Sequence, residues 1–337
     1  RDVSLRVGYV GSRGVHQMFR VEDGDIVLPS LTSQGYLWPS PVGSGTRLNP
    51  NAGLINEGLW QGNSFYDALQ VKVKAKIGSG AEIGGSYTWG KTIDTSSGSL
   101  VGDEYSNSIA SPLFFATKLN RGLADFNVAH NVEVNYTWEI GTPKWAHGVS
   151  GWALSGWEIG GVFEASTGVP FTPGFGGDAL GVKSTDPNID VPNFLSGPGC
   201  SSPVNPGNPT HYIKTQCFGV PSAPTPAFYT ANCDPHFALP FCLNLRGNLG
   251  RNTVIGPGLV NFDFSLFKNN HIKKISDVFN VQFRAEFFNV VNHTNFSPPL
   301  DNRNIFDSSG SPIGNAGLIT STQTPSREVQ FAIKVIW

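Results

Sequence analysis

Few residues in this chain are equipped for chemistry by type and spacing together. Asp186, Asn188 and Asp190 form a D-x-N-x-D run, the spacing with which a calcium loop begins. Its sixth position is Val191 rather than Gly and its twelfth is Gly197 rather than Glu, which favours an ordinary polar turn. Cys200, Cys217, Cys233 and Cys242 share one Pro/Gly-rich stretch, but their spacing matches no zinc pattern. Two loop disulfides in an oxidising compartment are expected instead. Nearest-neighbour pairing, Cys200 with Cys217 and Cys233 with Cys242, is one of three open connectivities. Lys72, Lys74 and Lys76 set three ammonium groups on one side of a strand, where they could draw an anion. Pairing with Glu82 and its neighbours is the simpler reading. His130 and His293 flank strand ends beside Asn residues and read as solvated or loop-bracing side chains, while Arg121 and Asp125 read as braces at the base of their loop. No G-x-S-x-G, H-E-x-x-H, phosphate-binding or dinucleotide fingerprint occurs. No catalytic residue, cofactor or resident metal is therefore expected. A formal net charge of -2 provides no field for nucleic acid.

The elements that carry these residues alternate with a period of two. In the last strand, Val329, Phe331, Ile333, Val335 and Trp337 face one way, while Glu328, Gln330, Ala332, Lys334 and Ile336 face the other. The same split puts Leu69, Val71, Val73, Ala75 and Ile77 opposite the lysines. Val132 to Ile140 and Phe279 to Phe287 repeat it, with Glu133, Glu139, Arg284 and Glu286 on their polar sides. Trp157, Ile159 and Phe163 oppose Glu158 and Glu164. Shorter runs at Val3–Val10, His16–Val21, 83–89 and 262–266 complete about nine strands, with Gly11–Gly14 as the first turn. Charges on nearly every polar face suit a hydrated interior better than a dry core. Alternation alone leaves open which face is wet.

Connections alternate short and long along the chain, the long ones at about 22–63, 92–127, 172–259 and 292–326. Antiparallel strands joined so place every short turn at one end and every long loop at the other, the asymmetry of outer-membrane barrels. The expected fold is all-β: an antiparallel transmembrane β-barrel region spanning 1–337, with the cysteine loop 172–259 inside it. Lys72, Lys74, Lys76, Glu133, Glu139, Glu158, Glu164, Arg284 and Glu286 would face its lumen. Tyr9, Trp138, Trp157 and Trp337 would gather at the periplasmic interface and Trp89 at the outer one. With strand one running towards the periplasm, an odd number of strands should lie upstream. No stretch approaches the ~20 apolar residues of a spanning helix. The chain, which opens on Arg1 without a leader pattern, reads as the C-terminal part of something longer or as a processed product.

Five stretches together resemble a known family: YVGSRGVHQ (9–17), SFYDALQVKVKAKIGSGAEIGGSYTWGKTID (64–94), LNRGLADFNVAHNV (119–132), FRAEFFNVVNHTNF (283–296) and REVQFAIKVIW (327–337). They resemble the C-terminal barrel of TonB-dependent outer-membrane receptors, in the Oar-like group with a carboxypeptidase-regulatory-like N-terminal domain. The resemblance implies a Gram-negative outer-membrane transporter with a barrel of about 22 strands. It also implies an N-terminal plug, energy from TonB, and capture of an extracellular ligand by the long loops. Val329, Phe331, Ile333, Val335 and Trp337 resemble the signal read by the barrel-assembly machinery, although Trp337 stands where Phe is usual. Two other classes compete. One is a structural or adhesive β-protein that self-assembles through open strand edges. The other is a soluble carbohydrate-binding β-protein, whose blades should repeat at a fixed period, and none does.

Overall fold

The computed structural model describes residues 2–21, 24–39, 47–49, 51–53, 55–78, 80–98, 113–181 and 190–337. Eight long strands form one antiparallel sheet in chain order: β1 (Asp2–Val21), β2 (Glu57–Ile77), β3 (Ala81–Asp94), β4 (His130–Ile140), β5 (Trp157–Ser166), β6 (Leu259–His271), β7 (Asn280–Phe288) and β8 (Glu328–Ile336). A ninth strand of two residues, Gly122–Leu123, extends the sheet beside the end of β3. Each long strand pairs with its chain neighbour, so the alternation of side chains continues in register across the whole wall. Within the described residues β1 and β8 do not pair with each other, and the sheet stays open.

The first turn expected at Gly11–Gly14 does not form. The ladder runs unbroken from Asp2 opposite Lys76 to Gly14 opposite Ser64, then resumes after an irregularity as far as Val21 opposite Glu57. His16, at a φ of 53°, sits in that irregularity. The glycines look like turn formers, but β2 extends well beyond its apolar pattern and supplies their backbone partners. Arg13 also clamps the two strands, its guanidinium 2.8 Å from the Asp67 carboxylate. The two short strands read at the start of the chain are thus one. This reverses the direction assigned to the first strand: β1 runs from the short-turn end towards the long loops. Asp2 and Ile336 consequently lie at the same end of the sheet.

The apolar face of the wall is bare. Val3 is 68% exposed, Phe331 66% and Ile333 73%, and no described element covers them. A soluble sheet would have buried this face, because apolar area is what drives its packing. The buried core lies elsewhere, in the long loops. Phe171, Phe175, Ile213, Cys217, Phe218, Leu243, Val254 and Ile305 form its main cluster, drawn from residues 167–258 and 289–327. Small ladders stitch these loops together: Pro170–Phe171 with Val254–Ile255, and Gly174–Gly176 with Asn304–Asp307. A second cluster joins Trp38, Leu113 and Leu180 from three different loops. A third packs Leu37 and Leu245 against Cys233 and Cys242. The long loops therefore form a folded cap at one end of the wall.

Candidate functional site

The polar face of the wall carries its charges in order. Arg6, Lys72, Ser86, Glu133 and Glu164 stand directly opposite one another in a single cross-strand row. One row towards the short turns, Lys74 Nζ lies 2.6 Å from Glu82 Oε1. Lys76 stands opposite Glu82, and Glu139 opposite Glu158. Positive charge thus gathers on β1 and β2, and negative charge on β4 and β5. Further along, the Arg284 guanidinium lies 5.2 Å over the Phe267 ring and donates from Nε to Gln282 Oε1 at 2.6 Å. Glu286 stands opposite Ser265 and Gln330. Arg6, Lys72, Lys74, Glu82, Glu133 and Asn135 line one hollow of about 450 Å³. The hollow spans four adjacent strands on the charged face, as the inside of a curved wall would.

Nearer the cap the inner face loses its charges. A second hollow, of about 650 Å³, is lined by Ser64, Tyr66, Gln70, Thr88, Asn131 and Phe126. Hydroxyls, amides and three aromatic rings, Phe65 among them, suit an uncharged polar solute better than an ion.

On the outward face the apolar run of β2 extends from Leu69 to Ile77, about 27 Å along the strand at ~3.4 Å per residue. That compares with the ~25 Å apolar band of outer-membrane barrels. An aromatic row closes it towards the cap: Tyr9 opposite Leu69, Leu69 opposite Trp89, Trp89 opposite His130. The Trp89 and His130 rings stack at 6.4 Å, and Tyr87 Oη lies 2.8 Å from His130 Nδ1. The Tyr9 hydroxyl donates to Asp67. Beyond this row the outward positions turn polar, with Arg13, Asp67 and Lys91. Trp138 and Trp157 stand at the opposite end, Trp157 facing Ile140, and Trp337 follows β8 there, 86% exposed. Tyr9 therefore belongs to the level of Trp89, not to that of Trp138, Trp157 and Trp337 as expected. The misplacement follows from the false turn at Gly11. Val329, Phe331, Ile333 and Val335 stand opposite Phe287, Ala285, Phe283 and Val281, with Phe331 stacked on Phe283 at 6.1 Å.

Of the residues that fasten the cap to the wall, sequence reasoning singled out Asp125 but missed Arg251, Asp94 and Asn252. Arg251 donates to Asp94 Oδ1 at 2.5 Å and to Asp125 Oδ1 at 2.8 Å, and also reaches Ser97 Oγ at 2.8 Å. All three charged side chains are at most 4% exposed. Burial works against the Arg251 charge, but Asp125 and Asp94 outweigh it and hold the guanidinium above its ordinary pKa. Asn252, at a φ of 55°, adds bonds to Leu123 O and Asp125 Oδ1. Gly122 is required at this junction, since a Cβ there would lie 2.5 Å from the Arg251 carbonyl oxygen. Asp125 thus braces its loop as expected, and Arg121 lies 5.6 Å over the Phe65 ring of β2. His293 braces its loop, donating its backbone N–H to Asn289 Oδ1 at 2.9 Å.

The cysteines pair as nearest neighbours, Cys200 with Cys217 and Cys233 with Cys242, both inside the cap. Asp186 and Asn188 lie outside the described residues. Asp190 is buried, with Oδ2 accepting from Leu180 N at 3.1 Å, and burial pushes its carboxyl up to about 8.

No curated protein matches this chain. It is similar in structure to the outer membrane transporter YddB from Escherichia coli, with 10% identity and a TM-score of 0.42. That alignment covers 99% of this chain and 30% of the transporter, so the chain spans under a third of that protein's length. Residues 1–330 match the model of the outer membrane beta barrel domain. With its apolar side bare and its charges on the concave side, this chain belongs to the outer membrane beta barrel family and resides in the outer membrane.

Proposed function

We propose that this wall is part of a TonB-dependent uptake barrel of about 22 strands, in which the cap captures a polar ligand and a plug gates the lumen. The observation that carries the reading is the cap itself. Its loops have a hydrophobic core, two disulfides and a buried ionic tie to the wall, placed at the mouth of a concave polar face. Loops left only to connect strands need none of this, whereas a ligand-binding surface needs rigid support. The uncharged hollow beneath the cap favours a neutral, hydroxyl-rich or amide-rich solute as first contact. The charged rows below it would hold water and the plug. The edges of β1 and β8 would pair with the remaining strands of the barrel, and the barrel-assembly machinery would read β8. Open edges equally suit the competing self-assembling role, and one experiment separates the two. The full-length protein is placed in a planar lipid bilayer. A plugged uptake barrel inserts yet carries no steady current until the plug is loosened by denaturant. A steady ohmic pore in the untreated protein would sink the plugged reading, and failure to insert at all would favour the self-assembling one.

A further inference from the structure

The connection between β4 and β5 is longer than a turn requires, and it folds into a short helix, Gly148–Leu154. Two contacts pin that helix to the outward side of the wall. The Trp157 ring, which alternation places outward, donates from Nε1 to Ala153 O at 2.8 Å. Lys268 stands opposite Trp157 and Phe283, which makes it outward-facing too. A bare lysine there would lower its ammonium into lipid. Instead Nζ donates to Ser155 O at 2.6 Å, Trp152 O at 3.0 Å and Asn270 Oδ1 at 3.2 Å. All three of its N–H donors find acceptors, and the Trp152 and Trp157 rings flank it at 5.4 and 5.9 Å. The end of the helix thus closes over Lys268, leaving it 8% exposed.

The helix turns its other side out. Val149 and Trp152 on the helix, and Trp145 in the turn before it, are 82%, 63% and 72% exposed. They lie in the connection between Ile140 and Trp157, which face each other where the lipid-facing band ends at the short-turn end of the wall. Exposed Lys144 and His147 flank them. We propose that this helix is a foot laid in the headgroup region of the periplasmic leaflet. Trp145, Val149 and Trp152 enter the acyl boundary, and Lys144 meets lipid phosphate. The occupant is phospholipid because the exposed face continues the lipid-facing wall without a break. Lys268 is the positioning residue that holds the foot against the wall.

The test uses the full-length protein, whose four cysteines in this region are all in disulfides, with one thiol introduced by Val149→Cys or Ser150→Cys. Both sites are exposed, so folding should survive, and heat-modifiable mobility on gels checks that it does. Each thiol is spin-labelled in phosphatidylethanolamine–phosphatidylglycerol vesicles, and its collisions with oxygen and with a water-soluble nickel complex are measured. The Val149 label should favour oxygen over nickel at least fivefold more than the Ser150 label. Adding Lys268→Met should erase the difference by freeing the helix. Equal nickel access at both positions means that the face meets water or a missing protein partner, and overturns the proposal. Protection that disappears when the protein is diluted into more lipid assigns the face to a second copy, and overturns it equally.

Discussion

Replacing Arg251 by Met should detach the cap from the wall while leaving the wall intact. The substitution keeps most of the side-chain volume and removes the charge. Asp94 and Asp125 are then left at 3% and 1% side-chain exposure without the guanidinium that compensates them. Removing one partner of a buried ionic group costs about 3–5 kcal/mol, mostly because the remaining charge is stranded. The wall strands bury none of this network below the end of β3, so the loss falls on local opening of the cap. Hydrogen exchange followed by mass spectrometry reads that opening directly. At about 1.4 kcal/mol per tenfold, peptides covering 113–127 and 245–256 should exchange roughly a hundred- to several-thousand-fold faster, while those from β6, β7 and β8 stay unchanged. Adding Asp94→Asn and Asp125→Asn to Arg251→Met should recover much of the protection, because no stranded charge then remains. An acceleration below about fivefold in the cap, or a triple variant no better than the single one, would refute the reasoning.

Three further outcomes follow from the same structure. Replacing Cys200 and Cys217 by Ser should lower the stability of the cap by about 3 kcal/mol, the chain-entropy value for their separation of 17 residues, read as a drop in the cap's melting temperature; an unchanged midpoint contradicts it. Asp190 keeps its proton in the folded cap up to about pH 8, whereas the unfolded chain loses it near ~3.9. The folded state therefore holds the extra proton between those values, and the cap should lose stability as pH rises through that window. Asp190→Asn should flatten this dependence, and a native cap that gains stability from pH 5 to pH 8 contradicts the assignment. On β8, Ile333→Lys should cost up to about 2–4 kcal/mol and impair assembly, while Gln330→Lys on the inner face is tolerated. Equal effects on heat-modifiable mobility would deny the two faces their different surroundings.

The wall was legible because its residues alternate for long stretches, as in Leu69–Ile77, Asn131–Ile140 and Val329–Trp337, and a period of two leaves little choice of element. The error at Gly11–Gly14 shows the limit of local reading. Those residues have turn chemistry, and only the partner strand from Ser64 to Asp67 reveals that they are extended. The misplaced level of Tyr9 followed from that one mistake. The cap was not legible, for a different reason. Arg251 meets Asp94 and Asp125 across 157 and 126 residues, with no periodicity to announce it. Its aromatic core residues, such as Phe171 and Phe306, lie singly among Gly and Pro. The foot was hidden because its helix, Gly148–Leu154, is too short for a periodic signal to rise above chance, and Trp145 stands before it in a turn.

The orientation of the wall is tested most directly at two adjacent residues of β2. Val71→Cys and Lys72→Cys are each labelled with a small fluorophore in the full-length protein, reconstituted with lipids brominated along their acyl chains. Strong quenching at position 71 with little at position 72 is the expected result, since Val71 faces lipid and Lys72 the concave side. Quenching at 72 and not at 71 would turn the wall inside out and contradict the outer-membrane assignment of its faces.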